Sequence, residues 1–145
     1  MRVIIAGSRY ITSFDLETAI KDSGFTITEV VSGRDAYGID HLGELWAESH
    51  GVPVKPFPAA WGTYGVSAGP RRNDQMARYA AGLLAIWDGR TNRCGTWSMI
   101  KLAASWKLKI VIVTTCDTPE VRQILDDFEK QGWQRTPTGI RNWKE

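Results

Sequence analysis

Short, strongly apolar runs recur along the chain at intervals of roughly 25–30 residues, with helical patterns between them. Runs at Arg2–Ala6, Glu29–Ser32, Val52–Phe57, Leu83–Trp87 and Ile110–Val113 predict strands. Strands that alternate with helices predict βαβ units with right-handed crossovers. We therefore expect an α/β fold: a single Rossmann-like, doubly wound parallel sheet of about five strands, in the order 3-2-1-4-5.

Capping residues mark the ends of the predicted helices. Ser13 is the predicted N-cap of the first helix, and Pro70 suits the first turn of the third. Asp117 or Thr118 is the predicted N-cap of the last helix. Pro58–Gly69 is predicted to be a long loop of the kind that is often functional. The polar tail at about residues 132–145 has no clear pattern.

The 145 residues are expected to form one domain, residues 1–145. With 18 basic and 16 acidic residues, the net charge of +2 is too small to favour nucleic acid or a membrane surface as the main partner. The apolar runs are shorter than the roughly 20 residues of a membrane span, and the N-terminus lacks a signal-peptide pattern. A cytoplasmic protein with no membrane contact is expected.

Metal and cofactor motifs are missing from the sequence. Cys94, Cys116, His41 and His50 match no zinc-binding spacing. Gly33-x4-Gly38 lacks the Lys-Ser/Thr pair of a P-loop, and neither a dinucleotide fingerprint nor a nucleophile elbow occurs. We therefore expect no metal and no cofactor.

Glycine and arginine concentrate in the loops after the predicted strands, where ligands bind in open α/β sheets. Six of the eleven arginines fall there. Glycines let backbone N–H groups approach an anion, helix N-termini are partly positive, and arginine binds phosphate oxygens in a planar fork. The predicted ligand is therefore a phosphorylated molecule such as a nucleotide. Its predicted binding residues are Gly7, Ser8, Arg9, Ser32, Gly33, Asp40, Arg71, Arg72, Asn73, Asp88, Gly89, Gly95 and Thr96.

These features also have ordinary structural explanations. Glycines end strands in any α/β protein, surface arginines are common, and Asp-Gly is a frequent turn pair. Among the aromatic residues, Trp61, Tyr64 and Trp97 are candidate platforms for stacking a base. Trp46, Trp87 and Trp106 are instead predicted to belong to the core.

Several spaced blocks, in order along roughly residues 1–115, carry a resemblance to one family. The blocks are Ala6–Arg9, Val30–Gly33, Gly38–Glu44, Trp61–Gly65, Ala68–Met76, Trp87–Gly89 and Gly95-Thr96. They resemble the YspA-like branch of the SLOG superfamily, also called DUF2493, whose members are small bacterial and phage proteins. The resemblance implies a Rossmann-like fold that binds nucleotides or nucleotide-derived ligands.

The related LOG enzymes cleave the N-glycosidic bond of nucleoside monophosphates and have the signature PGGxGTxxE. Gly95-Thr96 match its Gly-Thr, and Arg72 and Met76 match the upstream helix. Its catalytic Glu position falls on Met99, whose thioether has no proton to donate and no charge. The resemblance thus implies a sensor or sequestering protein, and LOG relatives imply a homodimer.

Two other functions remain open. A nucleotide-processing N-glycosidase or phosphoribohydrolase would need a carboxylate, which Asp88 or Asp40 would supply. A single-stranded DNA binder similar to the related protein DprA is the second alternative, but the small net charge disfavours it.

Overall fold

The computed structural model describes residues 1–144 and has an α/β architecture. Within this range the strands form one mixed sheet of seven strands, in the order β3-β2-β1-β4-β5-β7-β6. The strands are β1 (Arg2–Gly7), β2 (Glu29–Ser32), β3 (Val54–Pro56), β4 (Gly82–Trp87), β5 (Lys109–Thr114), β6 (Gln134–Thr136) and β7 (Gly139–Arg141).

The first five strands are parallel and lie in the predicted order. Every residue of β4 is buried, and Ile110–Val113 of β5 are buried as well. Continuous apolar runs are expected where helices cover both faces of a sheet. The prediction of a parallel core is confirmed, whereas the prediction of an all-parallel sheet of about five strands is wrong because the tail adds two antiparallel strands.

Helices cover both faces of the sheet. One apolar cluster joins the sheet to α1 and α2, and the other joins it to α4, α5 and α6. Asp15, not Ser13, caps α1 by accepting a hydrogen bond from the Thr18 N–H, and Thr118 caps α6 as predicted. The helices are α1 (Leu16–Ser23), α2 (Gly38–Ser49), α3 (Trp61–Tyr64), α4 (Ala68–Tyr79), α5 (Gly95–Ser105) and α6 (Pro119–Lys130).

The segment predicted to be one long loop contains α3 and a 3-10 turn, Gly65–Ser67, which leads directly into α4. As a result, α4 begins at Ala68, two residues before Pro70. No helix within residues 1–144 is long and apolar enough to cross a membrane.

The tail forms a hairpin against the outer edge of β5. Ile140 of β7 is buried opposite Ile112, and the Asn142 side chain accepts from the Ile110 N–H at 2.8 Å. A Cβ on Gly139 would lie 1.9 Å from the Ile112 carbonyl oxygen, so only glycine permits this close approach. The hairpin thus extends the sheet and covers part of β5.

Candidate functional site

A polar pocket of about 270 Å³ lies beyond the carboxyl ends of β1 and β4. These neighbouring strands are where the strand order reverses, which is the usual ligand position in an open α/β sheet. The walls come from the loops after β1, β2 and β4 and from the starts of α2, α4 and α5. Its lining residues are Ala6, Gly7, Ser8, Arg9, Tyr10, Asp35, Asp40, Arg72, Asn73, Met76, Arg90, Arg93, Cys94, Gly95, Thr96 and Met99.

Glycine lets the loop after β1 meet the start of α2. Gly38 has φ +73°, and a Cβ there would lie 2.3 Å from both the Ser8 carbonyl oxygen and the Arg9 Cα. The Ile39 N–H donates to the same Ser8 carbonyl at 3.3 Å. Gly7 is equally confined, since its Cβ would lie 2.5 Å from the Ile39 side chain. These contacts fix one wall of the pocket.

Asp40 and Arg72 face each other across Gly33. Arg72 Nη1 donates to the Gly33 carbonyl, and Arg72 Nε donates to Asn73 Oδ1 at 2.9 Å. A Cβ on Gly33 would lie 2.8 Å from Arg72 Nη1 and 2.9 Å from Asp40 Oδ2, so glycine leaves room for both side chains. Arg72 is therefore held in place by the protein as well as lining the pocket.

Asp40 is a half-buried carboxyl with an altered ionisation. Burial raises its pKa to about 6, although the Asp35 N–H that donates to Oδ2 and the nearby Arg72 charge both oppose this shift. Burial also lowers the pKa of the Arg72 guanidinium, which the charge of Asp40 partly offsets. A carboxyl with a pKa close to neutrality in a pocket is suited to proton transfer.

The N-terminus of α5 forms another wall of the pocket. Cys94 occupies the N-cap position but makes no side-chain capping bond. Thr96 is 7% exposed and lines the pocket, and within residues 1–144 its hydroxyl has no hydrogen-bond partner. Asn73 Nδ2 donates to the Gly95 carbonyl at 3.3 Å and so ties α4 to this helix start. The pocket thus contains helix N–H groups and a hydroxyl without an internal partner, both suited to an anion.

Three further arginines surround this helix start. Arg9 Nε lies 3.9 Å from Asp35 Oδ2, and Arg90 Nη2 donates weakly to Ser8 Oγ at 3.4 Å. Arg93 is exposed, has the unusual φ of +50°, and has no side-chain partner among the described residues. Non-glycine residues with positive φ are uncommon and cluster at functional sites.

Of the residues predicted from sequence to bind the ligand, five do not line this pocket. Arg71 points away from it and places its guanidinium 4.2 Å from the Tyr64 ring centroid. Ser32 is buried and donates to Glu44 Oε2 at 2.9 Å. The remaining residues are Gly33, which lines a neighbouring cavity, together with Asp88 and Gly89.

Asp88 and Gly89 have structural contacts instead. Arg90 Nε donates to Asp88 Oδ2 at 2.9 Å. Burial alone would raise the pKa of Asp88, but the hydrogen bonds from Arg90 outweigh it and lower the pKa. Gly89 has φ +87°, and its Cβ would lie 2.6 Å from Val121 on α6. Asp88 is therefore a poor candidate for a catalytic acid, and Asp40 is the carboxyl that the fold brings into the pocket.

Three lining residues were not predicted from sequence to belong to the site: Tyr10, Asp35 and Cys94. Arg90 and Arg93 were predicted only as members of the arginine-rich loops, and Met76 and Met99 only as positions of the LOG pattern. Met76 and Met99 lie further along α4 and α5, whereas the others lie in the loops after the strands. The sequence thus indicated the segments that line the pocket but not the direction of each side chain. Met99 is 1% exposed and occupies the position where the LOG pattern has its Glu. Within residues 1–144, no group of three His, Cys, Asp or Glu side chains is placed to hold a metal ion.

Two of the tryptophan predictions are wrong. Trp97 stacks on the buried Trp87, with ring centroids 5.1 Å apart, and so belongs to the core. Trp106, predicted to be in the core, is 47% exposed, and its Nε1 donates to Asp74 Oδ1 at 2.9 Å. Trp61 remains available as a platform because the residue is 58% exposed.

In comparisons with known proteins, no family model matches the chain, and the search of curated proteins returns no significant match. The case for a function therefore depends on the chemistry of the pocket. That chemistry is cationic, because four arginines line the pocket and face two aspartates.

Proposed function

We propose that this chain binds a nucleotide or nucleotide-derived ligand through its phosphate, as a sensor or sequestering protein of the YspA-like SLOG type. The observation that carries the proposal is the start of α5, where helix N–H groups and the Thr96 hydroxyl face a pocket lined by arginines. The Thr96 hydroxyl makes no hydrogen bond within residues 1–144 and opens onto the pocket, so it can donate to a phosphate oxygen.

The charges around the pocket support an anionic ligand. A helix N-terminus carries roughly half a positive charge, and Arg93 adds a full charge with no acid beside it in the described residues. Arg72 uses Nη1 and Nε within the protein, which leaves its Nη2 donors for a ligand. Together these groups supply the donors that a phosphate dianion requires.

Arg93→Ala is expected to weaken nucleotide binding about tenfold or more, because a charge-assisted hydrogen bond contributes about 1.5–3 kcal/mol. The stability of the unliganded variant should change by less than about 0.5 kcal/mol, since Arg93 is exposed and unpaired. Calorimetric titration with the four ribonucleoside monophosphates measures the first effect, and urea unfolding measures the second.

Arg78→Ala is the matched control. It also removes one positive charge from the surface, but Arg78 lies in the last turn of α4, paired with Asp74 at 2.9 Å. Equal losses in the two variants would show that only long-range charge matters. Wild-type affinity in Arg93→Ala would contradict the assignment of the phosphate to this pocket.

One observation favours a second function, N-glycosidic cleavage of a nucleotide. Asp40 lines the pocket with a pKa of about 6, so near neutral pH it can both accept and donate a proton. Against turnover, Met99 offers no charge to a developing oxocarbenium ion at the position of the LOG Glu. We therefore place binding without turnover first.

We expect no release of free base beyond the amount of protein when nucleoside monophosphates are incubated with the chain for many hours. Chromatography of the mixtures measures this. An excess of free base that Asp40→Asn abolishes and Asp88→Asn leaves intact would instead establish the enzyme, because Asp88 does not line the pocket.

A further inference from the structure

A second cavity, of about 710 Å³, adjoins the phosphate pocket. The two cavities have five lining residues in common, and the outer wall of the second cavity is largely apolar. A ligand that is bound at the start of α5 can therefore extend directly into it. The shared residues are Arg72, Asn73, Arg93, Cys94 and Gly95, and the outer wall is formed by Trp61, Val66, Gly69, Pro70 and Ser98.

Trp61 is the largest apolar side chain in this wall. Its side chain is 58% exposed, although its six-membered ring rests on the start of α4, where a Gly69 Cβ would lie 3.2 Å from Trp61 Cη2. Trp61 also lines a third cavity together with Arg9, Gly33 and Arg72. The indole is thus supported from one side by a helix and borders two cavities around Arg72.

The other aromatic side chains near the site do not line the second cavity. Tyr64 does not line the cavity and has the Arg71 guanidinium 4.2 Å from its ring centroid. Trp97 lies between Trp87 and Phe128 in the core. Tyr10 lines the phosphate pocket but not the second cavity, so Trp61 is the aromatic side chain that a planar group would meet in the second cavity.

We propose that Trp61 stacks against the base of a nucleotide whose phosphate is bound at the start of α5, an inference that rests on the proposed function. The ligand class is then a nucleoside phosphate and not inorganic phosphate or a sugar phosphate. Stacking of a base on an aromatic ring is tolerant of base identity, because every base presents a π face.

The test compares two kinds of ligand on three proteins. The four ribonucleoside monophosphates and ribose 5-phosphate carry the same phosphate and sugar, but ribose 5-phosphate lacks the base. Calorimetric titrations use wild type, Trp61→Ala and Trp61→Phe. Trp61→Ala should weaken the binding of at least one nucleotide about fivefold or more and leave ribose 5-phosphate unchanged. Trp61→Phe, which keeps a flat ring, should recover most of the affinity.

Trp106→Ala is the control, because Trp106 is a similarly exposed tryptophan at the opposite end of α5. Equal binding of nucleotide and ribose 5-phosphate by wild type would overturn the stacking subsite and leave the phosphate site intact. No binding of either ligand would overturn the proposed function and this inference together. A Trp61→Ala protein that loses self-association on gel filtration while its nucleotide affinity is unchanged would identify Trp61 as an interface residue and overturn the inference.

Discussion

Replacing Gly38 with alanine is expected to destabilise the protein by about 3 kcal/mol or more and to open the pocket wall. The backbone at φ +73° costs an L-residue about 1–2 kcal/mol. The added methyl group would also lie 2.3 Å from backbone atoms of Ser8 and Arg9, and these atoms cannot rotate away as a side chain can. Urea unfolding of wild type and variant measures the loss.

Gly24→Ala separates backbone strain from steric contact. Gly24 has φ +74°, nearly the same as Gly38, but a Cβ at Gly24 would have no atom within 4 Å. Its substitution should therefore cost only the strain, about 1–2 kcal/mol. If the two variants lose equal stability, the close contact between the loop after β1 and α2 contributes nothing.

Asp40→Asn is expected to stabilise the protein by about 2–3 kcal/mol at pH 7.5 and by almost nothing near pH 4. Burial raises the pKa of Asp40 from the ordinary 3.8 to about 6, so the folded state binds more protons than the unfolded state between these values. The cost of keeping the charged carboxylate in the fold is thus complete above about pH 6 and disappears as the pH falls toward 4.

The measurement is the free energy of unfolding of both proteins at several pH values between 4 and 8. Asp22→Asn is the control, because it removes an exposed carboxylate that lies outside the pocket. A stability difference that does not vary with pH would show that Asp40 is not held in a desolvated environment.

The parallel core was predictable because its strands are continuous apolar runs, which the sequence displays directly. The hairpin was not, since β6 and β7 have three residues each and depend on contacts distant in sequence, such as Asn142 with the backbone of Leu108 and Ile110. Such short strands carry too few residues for a periodic pattern to emerge.

For the site, the loops were predictable but the direction of each side chain was not. Arg71 and Arg72 are adjacent on α4, so they point about 100° apart around the helix, and only Arg72 lines the pocket. The sequence made Asp88 a candidate catalytic carboxylate, but in the structure its charge is paired with the neighbouring Arg90. Asp40 and Arg72 can both approach Gly33 because glycine has no Cβ, and a sequence pattern does not reveal that packing.

The two edge strands of the sheet limit how copies of this chain can associate. One edge is β3, three residues long and ending in Pro56, and the other is β6, also three residues long and followed by Pro137. Short edge strands and prolines offer few backbone donors and acceptors to an incoming strand. Copies of this chain are therefore expected to resist joining edge to edge into a continuous sheet, so a homodimer would have to pair through helices or loops.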